Sequence, residues 1–103
     1  MKLLSVTEQM YLISILSLSD DAYGVKIREK VINLTGKTMV FGTLYNNLDQ
    51  LVRKGYVTTK KDDSKKDSKK VFYVVTETGK KALQECKGLQ ESLWAALPDK
   101  ALI

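Results

Sequence analysis

Histidine is absent from this chain, and cysteine, proline and tryptophan occur once each, as Cys86, Pro98 and Trp94. Without histidine the commonest general base, the imidazole metal ligand and the serine–histidine couple are all excluded. A lone cysteine rules out an intrachain disulfide and fits a reducing compartment. One proline leaves room for long uninterrupted helices. No apolar run approaches the ~18 residues needed to span a bilayer. The segment Met1-Lys2-Leu3-Leu4-Ser5 lacks the apolar core and cleavage site of a secretory signal. A phosphate-cradling glycine loop is also missing. Asp62, Asp63 and Asp67 lie close together in sequence but do not follow the calcium-loop pattern. The expectation is a soluble, cytoplasmic protein with no cofactor, no metal and no membrane contact, and not an enzyme.

What is present is ordinary for a folded chain: 103 residues, 44% hydrophobic and 28% charged. That is one domain, or one domain with an appended helix. The net charge of +5 is unevenly placed, because residues 60–70 hold six lysines and three aspartates and no apolar side chain. Residues 71–103 are charge-balanced. A local basic field attracts nucleic acid or anionic surfaces.

Periodicity predicts three helices, a hairpin and a fourth helix. Ser5 and Glu8 form a capping-box pattern opening a helix over 5–19, with Met10, Leu12, Ile13, Ile15 and Leu16 as its apolar face. Asp20-Asp21 offers a turn and the next cap. A second helix over 22–34 carries Tyr23, Ile27, Val31 and Leu34 on one stripe, and Gly36 helps to end it. A third, over 41–54, carries Leu44, Leu48 and Leu51, and Gly55 stops it. Its cap is open between Thr38 and Thr43. Tyr56–Thr59 and Val71–Val75 read as strands. Residues 60–70 between them form an exposed tip. Thr76 is the natural N-cap of a last helix over 77–96, with Glu77 favoured by the dipole, and Pro98-Asp99 ends it. The fold class is therefore mainly α with a small β-hairpin: a winged helix-turn-helix over 1–76, a C-terminal helix over 77–97 and a tail over 98–103.

Three surfaces are candidates for function. The polar side of the third helix shows Thr43, Tyr45, Asn46, Asn47, Asp49, Gln50 and Arg53, with Lys54 at its end. Asparagine and glutamine pair with adenine edges, and a tyrosine hydroxyl suits a phosphate. The bland alternative is an ordinary solvated face. Asp49 is unfavourable near phosphates and is expected to point away from them. The second surface is the wing, with Lys60, Lys61, Lys65, Lys66, Lys69 and Lys70. These lysines would bind phosphates or the minor groove beside the reader helix. A solubilising loop is the alternative. The third is the stripe Leu83, Cys86, Leu89, Gln90, Leu93, Trp94 and Leu97 of the last helix. Left bare, it would be an unusually large apolar patch, and a twofold dimer covers it. Folding back onto its own core is the alternative.

Three segments then resemble one family, the PadR-like transcriptional regulators. Ala22-Tyr23-Gly24-Val25-Lys26-Ile27 is similar to the family's apolar-Tyr-Gly-x-x-Ile segment. Gly42-Thr43-Leu44-Tyr45, followed by Leu48, Leu51 and Lys54-Gly55, matches the reader helix. Lys70-Val71-Phe72-Tyr73, then Val75-Thr76-Glu77 and Gly79, matches the segment after the wing. The resemblance covers 8–83, and more loosely to 97. It implies a homodimeric repressor bound to double-stranded DNA, with Thr43, Tyr45 and basic wing residues on the DNA. The last helix, helped by the first, would form the dimer. In some short relatives a tryptophan of that helix stacks on flat aromatic effectors, and Trp94 holds a broadly similar place. Simple interface packing is its other reading. Val40 stands where a serine cap is common, and Phe41 where a polar residue is common. Phe41 would tuck against the second helix or the partner's helix. Two rivals stay open: a protein–protein module on the same scaffold, and nonspecific DNA binding through the lysine-rich tip.

Overall fold

The computed structural model describes residues 3–61 and 70–103. Helix α1 spans Val6–Leu18, α2 Gly24–Thr35 and α3 Phe41–Arg53. Strands β1 (Val57–Lys61) and β2 (Val71–Val75) follow, and α4 spans Glu77–Ala95. A single 3-10 turn, Ser19–Asp21, joins α1 to α2. This is a mainly helical fold with one antiparallel hairpin, a winged helix-turn-helix with an extra helix. No helix among the described residues is long and apolar enough to cross a membrane.

The local signals act where they were read. Ser5 Oγ accepts from the Glu8 backbone N–H at 3.0 Å, and the Glu8 carboxylate accepts from the Ser5 N–H at 2.9 Å. Thr76 caps α4, its hydroxyl accepting from the Gly79 N–H at 3.1 Å. The same hydroxyl donates to the Gly55 carbonyl at 2.6 Å, which pins the end of the α3 turn to the start of α4. Gly36 and Gly55 both have positive φ, at 71° and 79°, and each follows a helix. Two expected caps are absent. Tyr23, not an aspartate, precedes α2, and Val40 precedes α3, neither with a side-chain cap bond. Thr38 and Thr43 therefore do not cap α3.

The core gathers Tyr11, Leu12, Ile15, Ala22, Ile27, Val31, Leu44, Leu48, Leu51, Val57, Tyr73 and Val75. Two expectations change here. In α1 the buried residues are Tyr11, Leu12, Ser14 and Ile15, while Ile13 and Leu16 stand outside the core. That helix is apolar nearly all round, so periodicity could not choose its inward face. In α2, Leu34 is exposed because the core ends at Val31.

The hairpin pairs Val57 with Val75 through to Lys61 with Val71. Lys60 and Lys61 thus belong to β1 and not to the tip. A bridge from Tyr23 to Phe72 adds a third, one-residue strand. It is fixed by the Tyr73 N–H donating to the Ala22 carbonyl at 2.8 Å and by an edge-on contact of the Tyr23 and Phe72 rings. The wing is thereby tied to the start of α2. Lys65, Lys66 and Lys69, with Asp62, Asp63 and Asp67, lie outside the described residues.

Candidate nucleic-acid interface

Helix α3 buries Leu44, Leu48 and Leu51 and shows solvent nearly everything else. Its outermost stripe follows helical spacing: Gly42, Asn46, Asp49 and Arg53, all exposed. Thr43 and Gln50 flank that stripe on the α1 side, and both are exposed. Tyr45 and Phe41 flank it on the wing side, at 42% and 45% exposure. Thr43, Tyr45, Asn46 and Gln50 therefore share one accessible surface.

Asn47 does not join them. It is half-buried, and its amide donates to the Tyr11 hydroxyl at 3.1 Å. Tyr11 in turn donates to Met39 Sδ at 3.3 Å. The side chain that sequence assigned to a base edge instead ties α3 to α1. Asp49 keeps the exposed side of α3 on which the sequence puts it. It sits mid-stripe, close enough to the wing for its charge to act on Tyr73. Burial, then Asp49, then Tyr45 push the Tyr73 hydroxyl above the ordinary tyrosine range.

Tyr45 reaches across to α2. A Cβ at position 24 would collide with the Tyr45 hydroxyl, so glycine leaves room for this ring in its present position. Together they border an open cleft of about 380 Å³ with Tyr23, Lys70, Val71 and Tyr73. Lys70 stands at that cleft with its ammonium 4.4 Å from the Tyr23 ring centroid, a cation–π contact. Lys60 and Lys61 are exposed on β1. One concave surface thus brings α3, an aromatic hydroxyl and one wing cation, Lys70, together. That combination suits a sugar–phosphate backbone flanked by base edges.

The root of α3 is held electrostatically. Lys54 Nζ lies 2.9 Å from Glu8 Oε2. Burial alone would raise the Glu8 pKa, but bonds from the Ser5 backbone and Lys54 outweigh it and hold the carboxyl below the ordinary glutamate range.

The α4 stripe divides in two. Cys86 is turned into its own subunit's core, where its sulfur accepts from the Leu4 N–H at 3.3 Å. It is therefore removed from the surface assigned to a dimer. Leu83 and Leu89 are half-buried. Gln90, Leu93, Trp94 and Leu97 are exposed, Trp94 at 68%. From Gln90 onward every residue is exposed, so α4 runs past the core. Between α1 and α4 lies an apolar groove of about 250 Å³, lined by Gln9, Ile13, Leu83, Gln84, Lys87 and Gln90. Among the described residues, no group of three histidine, cysteine, aspartate or glutamate side chains could hold a metal.

The transcriptional regulator PadR-like family model matches residues 12–85. The chain belongs to that family. The match runs from within α1 through α2, α3 and the hairpin to the first half of α4, and includes every residue that lines the cleft. RosR of H. salinarum is similar to this PadR-like chain at 27% identity, with a TM-score of 0.75 over 93% of this chain and 82% of that one. F93 from STIV, a winged-helix DNA-binding protein, has 16% identity and a TM-score of 0.67, covering 89% of this chain and 95% of that one. A mutant MarR from E. coli, complexed with operator DNA, has 21% identity and a TM-score of 0.67, covering 96% and 68%. The latter two share the fold. No curated protein matches the chain. The PadR-like chain thus has the winged-helix fold of DNA-binding regulators.

Proposed function

We propose that this chain is a sequence-specific, double-stranded DNA-binding transcriptional repressor that acts as a cytoplasmic homodimer. Its action is binding, with no catalysis. Each subunit sets α3 in a major groove, with Thr43, Tyr45, Asn46 and Gln50 toward DNA. Lys60, Lys61 and Lys70, with Lys65, Lys66 and Lys69, neutralise neighbouring phosphates. A twofold dimer spaces the two readers about 34–36 Å apart, one helical turn. Occupancy of the promoter blocks transcription. The observation that carries this reading is the cleft in which Tyr45 of α3 meets Lys70 of the wing.

The exposed end of α4 supports the dimer. Leu93 and Trp94 of α4, and Val6, Ile13 and Leu16 of α1, are large apolar side chains left exposed in a single chain. A small flat aromatic effector stacked on Trp94 would relieve repression if it binds better to the dimer whose readers are wrongly spaced, as linkage requires.

The test is fluorescence anisotropy on the duplex upstream of the chain's own gene and on a scrambled duplex, at several salt concentrations. Affinity at least about a hundredfold tighter for the real site is expected, since specific sites gain roughly 10³–10⁷ over nonspecific DNA. Equal affinities that fall steeply with salt would mean backbone binding only. Binding to neither would favour a protein–protein module.

A further inference from the structure

Phe41 and Val52 are the two wholly apolar side chains that α3 exposes, and Phe41 is the larger and the one in the first turn. It is wholly apolar yet 45% exposed. It occupies the first turn, where a recognition helix meets base edges. Its ring is held on two sides. Tyr45 stacks on it, with centroids 6.4 Å apart and planes at 24°. The Arg28 guanidinium lies 4.8 Å from the ring centroid. Arg28 is itself anchored, its Nε donating to the Met39 carbonyl at 2.7 Å and its Nη2 reaching Thr38 Oγ1 at 3.4 Å. Val40, 70% exposed, extends the apolar edge.

Such a ring cannot read hydrogen-bonding edges. The one apolar feature that base pairs present in the major groove is the thymine C5-methyl, and phenylalanine is among the side chains that contact it. We propose that Phe41 reads a thymine methyl in each half-site, with Arg28 and Tyr45 setting the ring's position. This rests on the reading of α3 as the DNA-reading helix. Arg28 is a positioning residue, since its guanidinium is occupied by Met39 and the ring.

The test uses the full chain and a random duplex pool, from which preferred sequences are selected. Each thymine of a selected duplex is then replaced by deoxyuridine, which removes only the methyl. One thymine per half-site should respond, with binding weakened about fourfold per half-site, the worth of one buried methyl-sized group. Phe41→Ala should bind the thymine duplex more weakly and lose the difference between thymine and deoxyuridine, as a double-mutant cycle requires. Arg28→Lys keeps the charge but not the planar clamp. It should reduce the discrimination while leaving the salt dependence unchanged. A flat deoxyuridine scan on a selected duplex, or discrimination that survives Phe41→Ala, would overturn the role of Phe41 alone. Undiminished discrimination in Arg28→Lys would overturn its positioning role. A pool that yields no preferred sequence would overturn the reading of α3 itself.

Discussion

Asn47 and Tyr45 lie two positions apart on α3 and do different work. Tyr45 stands at the cleft, whereas Asn47 spends its amide on Tyr11. Tyr45→Ala should weaken binding to the preferred duplex at least about tenfold, the scale of one lost contact of 1.4 kcal/mol. Its melting temperature should change little, because the ring is 42% exposed. Asn47→Ala should do the reverse. It loses a part-buried hydrogen bond, costing about 0.5–1.5 kcal/mol, and keeps the same base preferences. A changed preference profile for Asn47→Ala would return that residue to the base-reading set. Gly24→Ala is a third probe, since its new methyl group must displace the Tyr45 hydroxyl. That hydroxyl ends a partly exposed ring that can swing aside, so DNA binding should fall with little loss of stability.

At the scale of elements, α3 is a helix whose entry is unsatisfied and whose exit is clamped. Val40 has the extended backbone of an N-cap, with φ −80° and ψ 155°, but no side-chain oxygen. Val40→Ser should raise stability by about 0.5–2 kcal/mol, read as the denaturation midpoint. At the other end, the Glu8–Lys54 pair joins α1 to α3. Glu8 has a folded pKa below its ordinary unfolded value. Its contribution is thus present above that value and is lost as pH falls through the folded pKa. Glu8→Gln should be less stable near neutrality and show a flatter acid limb. A midpoint–pH curve parallel to the parent's would discard this account. The capped ends at Ser5 and Thr76 were legible in the sequence because a cap is made by residues three apart. The faces of α1 and the fate of Leu34 were not, because they depend on which distant element packs where. The Tyr23–Phe72 bridge joins segments nearly fifty residues apart, and nothing local announces it. The exposed face of α3 was legible in outline, since leucine spacing marks its back. Asn47 was lost from it only because Tyr11 stands opposite.

The chain is long, about 58 Å in its greatest extent, because α4 continues beyond the core. If that overhang is where two copies meet, Leu93→Glu should convert the dimer to a monomer in sedimentation. Stability should then lose its dependence on protein concentration. A variant that stays dimeric would place the interface elsewhere. Cys86 should resist thiol reagents in the parent until the chain unfolds, since Leu4 covers its sulfur.

The outermost stripe of α3 has a consequence for how such a protein changes over time. Among the described residues, Asn46 and Asp49 make no side-chain hydrogen bond that the fold relies on. Substitutions at exposed sites like these usually shift stability by no more than about 0.5 kcal/mol. If α3 reads DNA as proposed, target preference can therefore drift by single substitutions while the architecture stays intact. Two duplicated copies of this gene can part company in the promoters they recognise long before they differ in shape.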